Sequence, residues 1–238
     1  TRRSNSMTLL APNDYRQTGY ELGARYLSGV GNDFSVVWRH MTGSYPNRQT
    51  TDALGNPLPV LVDNGFSQNS LLLRLQTVPT DKSRISGEAG WTRRSLDALS
   101  QRDFSGPTAR LSFVYTPSDA WLGEAYLRRD LGATELISAS FVDTRTLGGR
   151  LTWRPTAKLS LQSFAELRRL AYDGDPGFLL VPSAVRKDTI HSMGLTVSWE
   201  AVRNVILSSE LRRDARSSNY DQFDYRANTF TLYGRVRF

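Results

Sequence analysis

Thr229-Phe230-Thr231-Leu232-Tyr233-Gly234-Arg235-Val236-Arg237-Phe238 closes the sequence and decides how the rest is read. Side chains alternate between the two faces of a strand. Phe230, Leu232, Gly234, Val236 and Phe238 therefore share one face, and Thr229, Thr231, Tyr233, Arg235 and Arg237 the other. One face suits lipid and the other suits water. The same pattern sets Leu71, Leu73 and Leu75 against Arg74 and Gln76, and Leu111, Phe113 and Tyr115 against Arg110 and Ser112. It sets Leu151 and Trp153 against Arg150, Thr152 and Arg154, and Met193, Leu195, Val197 and Trp199 against Thr196, Ser198 and Glu200. No helix-period stretch competes with this period of two. A soluble β-sandwich alternates as well, so the connections between the runs have to separate the two architectures.

Those connections repeat. Three short turns read Val78-Pro79-Thr80-Asp81-Lys82, Thr116-Pro117-Ser118-Asp119-Ala120 and Arg154-Pro155-Thr156-Ala157-Lys158, with successive prolines 38 residues apart. A repeated two-strand unit follows. After each turn the next run climbs to a basic pair, in Trp91-Thr92-Arg93-Arg94, Leu127-Arg128-Arg129 and Leu167-Arg168-Arg169, and Leu211-Arg212-Arg213 follows a fourth turn near Ala201 to Asn204. Beyond the basic pairs lie longer polar segments. Short turns on one side and long loops on the other are the asymmetry of an outer-membrane barrel, whose short connections face the periplasm. With Phe238 at the periplasmic rim, all four short turns fall on that side and 214–226 becomes an outer loop.

The sequence predicts an all-β, antiparallel transmembrane β-barrel with strands over 17–27, 34–45, 67–78, 83–95, 107–116, 120–131, 145–154, 158–171, 189–199, 205–214 and 227–238. Thr1-Arg2-Arg3-Ser4 matches the end of an ascending strand, as in Thr92-Arg93-Arg94-Ser95, and is read as the stump of a twelfth. Bacterial barrels have even strand numbers. Residues 1–238 are expected to be a single barrel domain, either a short twelve-stranded barrel or, the favoured reading, the C-terminal part of a larger one truncated at its N-terminus.

Composition narrows the class further. Only 39% of residues are hydrophobic and no run offers the ~18 apolar residues of a transmembrane helix, whereas a barrel strand needs only ~10 of alternating polarity. No basic region followed by an apolar run opens the chain, so a secretory signal is expected to have been removed or to lie upstream. The absence of cysteine excludes disulfides and thiolate chemistry and suits passage through an oxidising periplasm. Net charge is +7, and all basic residues but Lys82, Lys158 and Lys187 are arginine, which either a GC-rich genome or binding to an acidic partner accounts for. Nucleic acid is not an expected partner. The expected address is the outer membrane of a Gram-negative bacterium.

Parity then assigns candidate sites. Tyr26, Tyr115, Trp121, Trp153 and Trp199 lie near short turns on the outward parity and would form an aromatic girdle at the periplasmic rim, where amphipathic rings meet headgroups. Glu88, Glu124, Glu166 and Glu210, with Arg94, Arg128, Arg168 and Arg212, share the inward parity of ascending strands. They are read as two opposed charge ladders that either hold register by pairing with each other or form an electropositive constriction for anionic or hydroxyl-rich solutes. Arg129, Arg169 and Arg213 have the outward parity; they would either snorkel to water or meet lipopolysaccharide phosphates. Phe230, Leu232, Val236 and Phe238 are read as the terminal-strand signal for the barrel-assembly machinery. Apolar runs at 55–62 and 174–182 sit in outer loops, where they would gate the lumen, pack on each other or contact a partner.

Catalysis has little to build on. The only histidines are His40 and His191, and His191-Ser192 are adjacent in a strand and so point to opposite faces. No phosphate loop, HExxH or acidic calcium loop is present, so no enzyme, cofactor or metal is expected.

The strand–Pro-turn–strand units, as in Leu151-Thr152-Trp153-Arg154-Pro155-Thr156-Ala157-Lys158-Leu159-Ser160-Leu161, the Leu-Arg-Arg strand ends and the terminal Phe238 resemble the EpsL-type outer-membrane β-barrel porins of exopolysaccharide operons. The resemblance implies a part in exopolysaccharide export or assembly, with exopolysaccharide, outer-membrane lipid and lipopolysaccharide as partners, and it carries no catalytic residue. Two rivals remain: a non-conducting structural barrel that binds a partner or surface glycan through its loops at 46–66 and 173–188, and an outer-membrane hydrolase.

Overall fold

A computed structural model describes residues 2–3, 15–29, 31–45, 65–134, 136, 138–174 and 184–236. The described chain is one antiparallel sheet of twelve strands in sequence order, each hydrogen-bonded to the next. Its strands are β1 (Arg2–Arg3), β2 (Tyr15–Leu27), β3 (Asp33–Ser44), β4 (Gly65–Thr80), β5 (Ser83–Leu96) and β6 (Phe104–Ser118). They continue with β7 (Trp121–Ala133), β8 (Phe141–Thr156), β9 (Leu159–Asp173), β10 (Arg186–Val202), β11 (Val205–Ser218) and β12 (Tyr225–Val236). Two single 3-10 turns, Ser100–Arg102 and Asp221–Phe223, lie in the longer connections. The expected stump is a two-residue strand, with Arg2 opposite Arg16 and Arg3 opposite Tyr15.

The proline turns explain their own spacing. In each of the three, the ladder slips just before the turn, between Thr77 and Thr80, between Tyr115 and Ser118, and between Trp153 and Thr156. Proline has no N–H to give to a ladder, so a bulge is where a strand tolerates it. A fourth slip, between Glu200 and Val202, precedes the turn at Asn204, whose φ of 73° is left-handed. Neighbouring turns are tied by one repeated bond: Thr116 N–H donates to Lys82 O, Arg154 N–H to Ala120 O and Glu200 N–H to Lys158 O.

The hydrophobic arrangement is that of a wall in lipid. Leu22, Leu71, Leu73, Leu147, Leu211, Phe230 and Leu232 are exposed, while Ser70, Thr92, Thr146, Thr152, Ser192 and Ser208 are buried. Apolar side chains cover the outside and small polar ones fill the inside, the reverse of a soluble core. Inward residues from Glu21 on β2 to Arg150 on β8 line one hollow of about 790 Å³, so the sheet curls with its polar face concave. Among the described residues nothing pairs with the outer edge of β12, and the sheet is open rather than closed. All of β12 is exposed as a result.

Candidate functional site

The concave face carries the chemistry. Strand register puts Arg74, Glu88, Arg110 and Arg128 on one rung across β4 to β7. Arg74 reaches both neighbours, with Nε 2.7 Å from Glu88 and Nη1 3.2 Å from Glu21 on β2. Arg110 Nη2 lies 2.8 Å from Asp130, and Arg150 Nη1 3.2 Å from Glu124. Glu166 gathers Arg168 at 2.6 Å, Arg128 at 3.7 Å and the Tyr126 hydroxyl, which donates to it at 2.8 Å. Each such partly hydrated pair is worth only ~0–1 kcal/mol. Their value lies in fixing side chains along the polar face of the sheet.

The ladders are thus on the expected face and pair with each other at Glu166, which holds Arg128 and Arg168, whereas Glu88 and Glu124 turn to other partners. Glu88 and Glu124 bind Arg74 and Arg150, which come from descending strands. Residues four apart in a strand are separated by ~13 Å, too far for a same-strand Glu124–Arg128 bond, whereas the cross-strand neighbour is ~5 Å away. Only spacing of two allows a same-strand contact, as in Glu166–Arg168 and Arg212–Asp214, the latter at 2.7 Å. Arg94 stacks over Phe66 with its guanidinium carbon 3.4 Å from the ring centre, and Glu210 faces inward opposite Thr196 and Thr231.

Three inward aromatics share one device. Tyr126 on β7 lies over Gly148 on β8, Phe66 over Gly43, and Phe164 over Gly194; a Cβ at these glycines would sit 2.3–2.4 Å from the ring carbons. Each ring in turn carries an arginine: Arg94 on Phe66, Arg128 on Tyr126 at 4.9 Å and Arg212 on Phe164 at 5.7 Å. Glycine gives a flat bed, the ring fills it, and the cation–π contact holds a positive group on the concave face. Sequence reasoning missed these triads because the glycine and the ring are matched only through register.

Nearer the long loops, Asp188 is fully buried on the inner face between Arg186, 3.1 Å away, and Arg216. Arg186 also stacks on Phe223 at 3.4 Å, which draws the 219–224 connection onto the wall.

On the outer face, Tyr26, Tyr115, Trp121, Trp153 and Trp199 are all exposed near the short turns, and Trp121 and Trp153 stack with ring centres 5.4 Å apart. A second outward aromatic group went unpredicted. Tyr20 and Trp38 meet edge-on at 5.6 Å, with His40 beside them bonded to Asn69 at 2.8 Å. Outward parity alone would have found it.

Arg129, Arg169 and Arg213 also face outward. Arg129 pairs with Asp143 at 3.0 Å, and Arg213 stands opposite Met193 and Asn228. Phe230, Leu232 and Val236 are exposed on β12, whereas Phe238, the 55–62 segment and 175–182 lie outside the described residues. His191 faces out and Ser192 faces in, where its hydroxyl donates to Asp214 at 2.6 Å. Among the described residues no group of three His, Asp or Glu side chains is placed to hold a metal ion.

Solved structures share this fold. A copper transporter, OprC, matches with a TM-score of 0.65 at 13% identity, covering 92% of this chain and 40% of its own. The alcaligin outer-membrane receptor FauA from Bordetella pertussis matches with a TM-score of 0.59 at 12% identity, covering 94% and 43%. The FpvAI–pyocin S2 complex matches with a TM-score of 0.63 at 9% identity, covering 94% and 36%. The chain therefore spans about two fifths of the length of the barrels it matches. No curated protein sequence matches it. A family model does match from the start of β5 to the end of the sequence, residues 83–238, and the chain belongs to that family, described as Putative beta-barrel porin 2.

Proposed function

We propose that this chain forms wall of an outer-membrane pore that passes a hydrated, acidic polymer, with exopolysaccharide export as its role in a Gram-negative bacterium. The single observation that carries the reading is the oriented arginine set on the concave face: Arg94, Arg128 and Arg212, each laid on a ring that is itself bedded on glycine. Guanidinium groups held at fixed positions lower the barrier for anionic groups without binding any one of them tightly, which a conducting path requires. The neighbouring carboxylates keep the wall hydrated and stop it acting as an anion trap. In this proposal further strands pair with the free edges of the sheet and complete the lumen.

The test is single-channel recording of the protein folded in detergent and inserted in planar bilayers, with anion/cation selectivity measured for wild type and for Arg94, Arg128 and Arg212 changed together to alanine. Large conductance steps with anion preference that the triple change weakens support the pore. Folded, inserted protein without conductance overturns it and leaves a structural barrel that acts through its loops.

A further inference from the structure

The outer face carries an arginine row that the pore does not use. Arg129 on β7 stands opposite Arg145 on β8, and Arg145 opposite Arg169 on β9. All three have the parity of Trp121, Trp153 and Leu161, so three guanidinium groups point outward from adjacent strands within about 10 Å. Two residues nearer the short turns, the same register aligns Leu127, Leu147 and Leu167 in a second outward row. A basic row thus lies directly beside an apolar one.

Height decides what the rows meet. Arg129 is eight residues above Trp121, and Arg145 eight above Trp153. Eight residues span roughly 26 Å along a strand, or ~20 Å of height at a tilt of ~40°. The apolar band of such barrels is ~25 Å tall. With the Trp121–Trp153 pair at one margin, the arginine row lies ~5 Å short of the opposite one, where a guanidinium on its long stem reaches the headgroups, and the leucine row lies ~5 Å deeper, against acyl chains.

Charge decides which headgroup. Asp143, nearly buried, accepts from Arg129 at 3.0 Å and from Arg145 at 3.1 Å. Among the described residues nothing hydrogen-bonds or ion-pairs with the side chain of Arg169, which is exposed, and the Arg145 side chain remains 63% exposed. The next outward carboxylate, Asp173, accepts the Gly174 N–H at 2.8 Å and serves the loop. Three cations against one carboxylate leave a local excess of two, the charge of a phosphate monoester dianion. A planar fork with five donors suits phosphate oxygens better than a compact ammonium does.

We propose that Arg129, Arg145 and Arg169, preset by Asp143, form a binding site for the phosphate of a phosphorylated glycolipid in the outer leaflet, with Leu127, Leu147 and Leu167 against its acyl chains. The site would seat the wall at a defined height and lipid contact. It depends on the wall lying in a membrane and is independent of whether the lumen conducts.

The probe is bis-phosphorylated lipid A titrated against the detergent-folded full chain and read by native mass spectrometry, beside the same lipid stripped of phosphate and beside inorganic phosphate. Wild type should retain the phosphorylated lipid, and loss of its phosphates should weaken binding about tenfold or more. Arg129→Gln, Arg145→Gln and Arg169→Gln combined should lose it to the same degree. Arg213→Gln, outward but opposite Met193, should not. If the triple variant does not fold by heat-modifiable gel mobility, Arg145→Lys, which keeps the charge and loses the fork, should still weaken binding several-fold. Equal affinity for the phosphate-free lipid, or unchanged binding in the triple or Arg145→Lys variants, overturns the site alone. Displacement by millimolar inorganic phosphate overturns the lipid assignment in favour of a simple anion site. Failure of wild type to enter any bilayer overturns the membrane wall itself.

Discussion

Tyr126 on β7 reaches Glu166 on β9 across an intervening strand, its hydroxyl 2.8 Å from the carboxylate. The span works because Gly148, the β8 residue between them in register, has no side chain to stop the ring. One hydrogen bond thereby joins three strands, and Arg128 lies over the ring that makes it.

Gly148→Ala is the direct test of that span. A Cβ there would meet the Tyr126 ring at 2.4 Å, so the ring has to leave its bed. The expected cost is about 1–3 kcal/mol, as for other over-packed positions. Tyr126→Phe keeps the bed filled and removes only the hydroxyl, so its cost should be smaller, about 1 kcal/mol. Urea unfolding in lipid vesicles, read by tryptophan fluorescence, ranks the two; a costlier Tyr126→Phe would show that the hydrogen bond, not the glycine bed, dominates.

Asp188 predicts a larger loss. Among the described residues it is the one acidic group between Arg186 and Arg216, and its side chain is fully buried. Asp188→Asn leaves two guanidinium groups facing each other across a neutral amide, and removing one partner of a buried pair typically costs ~3–5 kcal/mol. The Arg186 and Arg216 side chains remain 11% and 19% exposed, so the lower end is expected. Asp188→Asn combined with Arg216→Met should recover part of the loss, whereas additive losses in the same unfolding assay would mean that the charges act independently.

Much of this was legible in the sequence, and the boundary has a physical reason. Each of the eleven long strands was placed within four residues, because a period of two is a local property. Many of their ends at the long-loop side run further than expected, as in β8, which begins at Phe141 rather than 145, because polar residues beyond the apolar band still complete backbone ladders. Face was legible for the same reason, and so was the outward position of Arg129, Arg169 and Arg213. Pairing was not. Arg74–Glu88 and Arg150–Glu124 join residues far apart in sequence, and register alone brings them together. Arg145 stands outside the double-arginine pattern, and only its parity with Leu147, Leu151 and Trp153 marks it as outward. Nothing local in the sequence could show that no described strand pairs with the outer edge of β12.

The Trp121–Trp153 stack should act through the membrane rather than through the protein interior. The rings lie parallel within 14° on the outer face, and both side chains are exposed. Trp121→Ala should destabilise the protein by about 1–2 kcal/mol in bilayers, through lost ring burial at the interface and a lost stacking term of ~0.5–1.5 kcal/mol. In detergent micelles, which have no fixed headgroup plane, the interfacial part should fall. Equal losses in both media would place the rings' energy in the stack alone.

Leu111 and Ser112 offer the sharpest test of which face meets lipid. They are adjacent at the middle of β6, so they share depth, backbone and neighbouring strands and differ only in side. Leu111 is 49% exposed among outward leucines, opposite Leu127 and Gly87. Ser112 points inward, opposite Ser86 and Tyr126. Arginine at a lipid-facing midplane position costs ~2–4 kcal/mol, whereas a lumen position tolerates charge. Leu111→Arg is therefore expected to lower unfolding stability in vesicles by that amount, and Ser112→Arg by less than about 1 kcal/mol. A soluble sheet packed on its apolar face would also reject Leu111→Arg, so the medium has to discriminate. For a membrane wall the penalty should shrink when the protein is held in short-chain detergent, because a thin, mobile micelle lets the guanidinium reach water. A penalty independent of the surrounding amphiphile would mean that Leu111 packs against protein, and the inside-out reading of the sheet would fail with it.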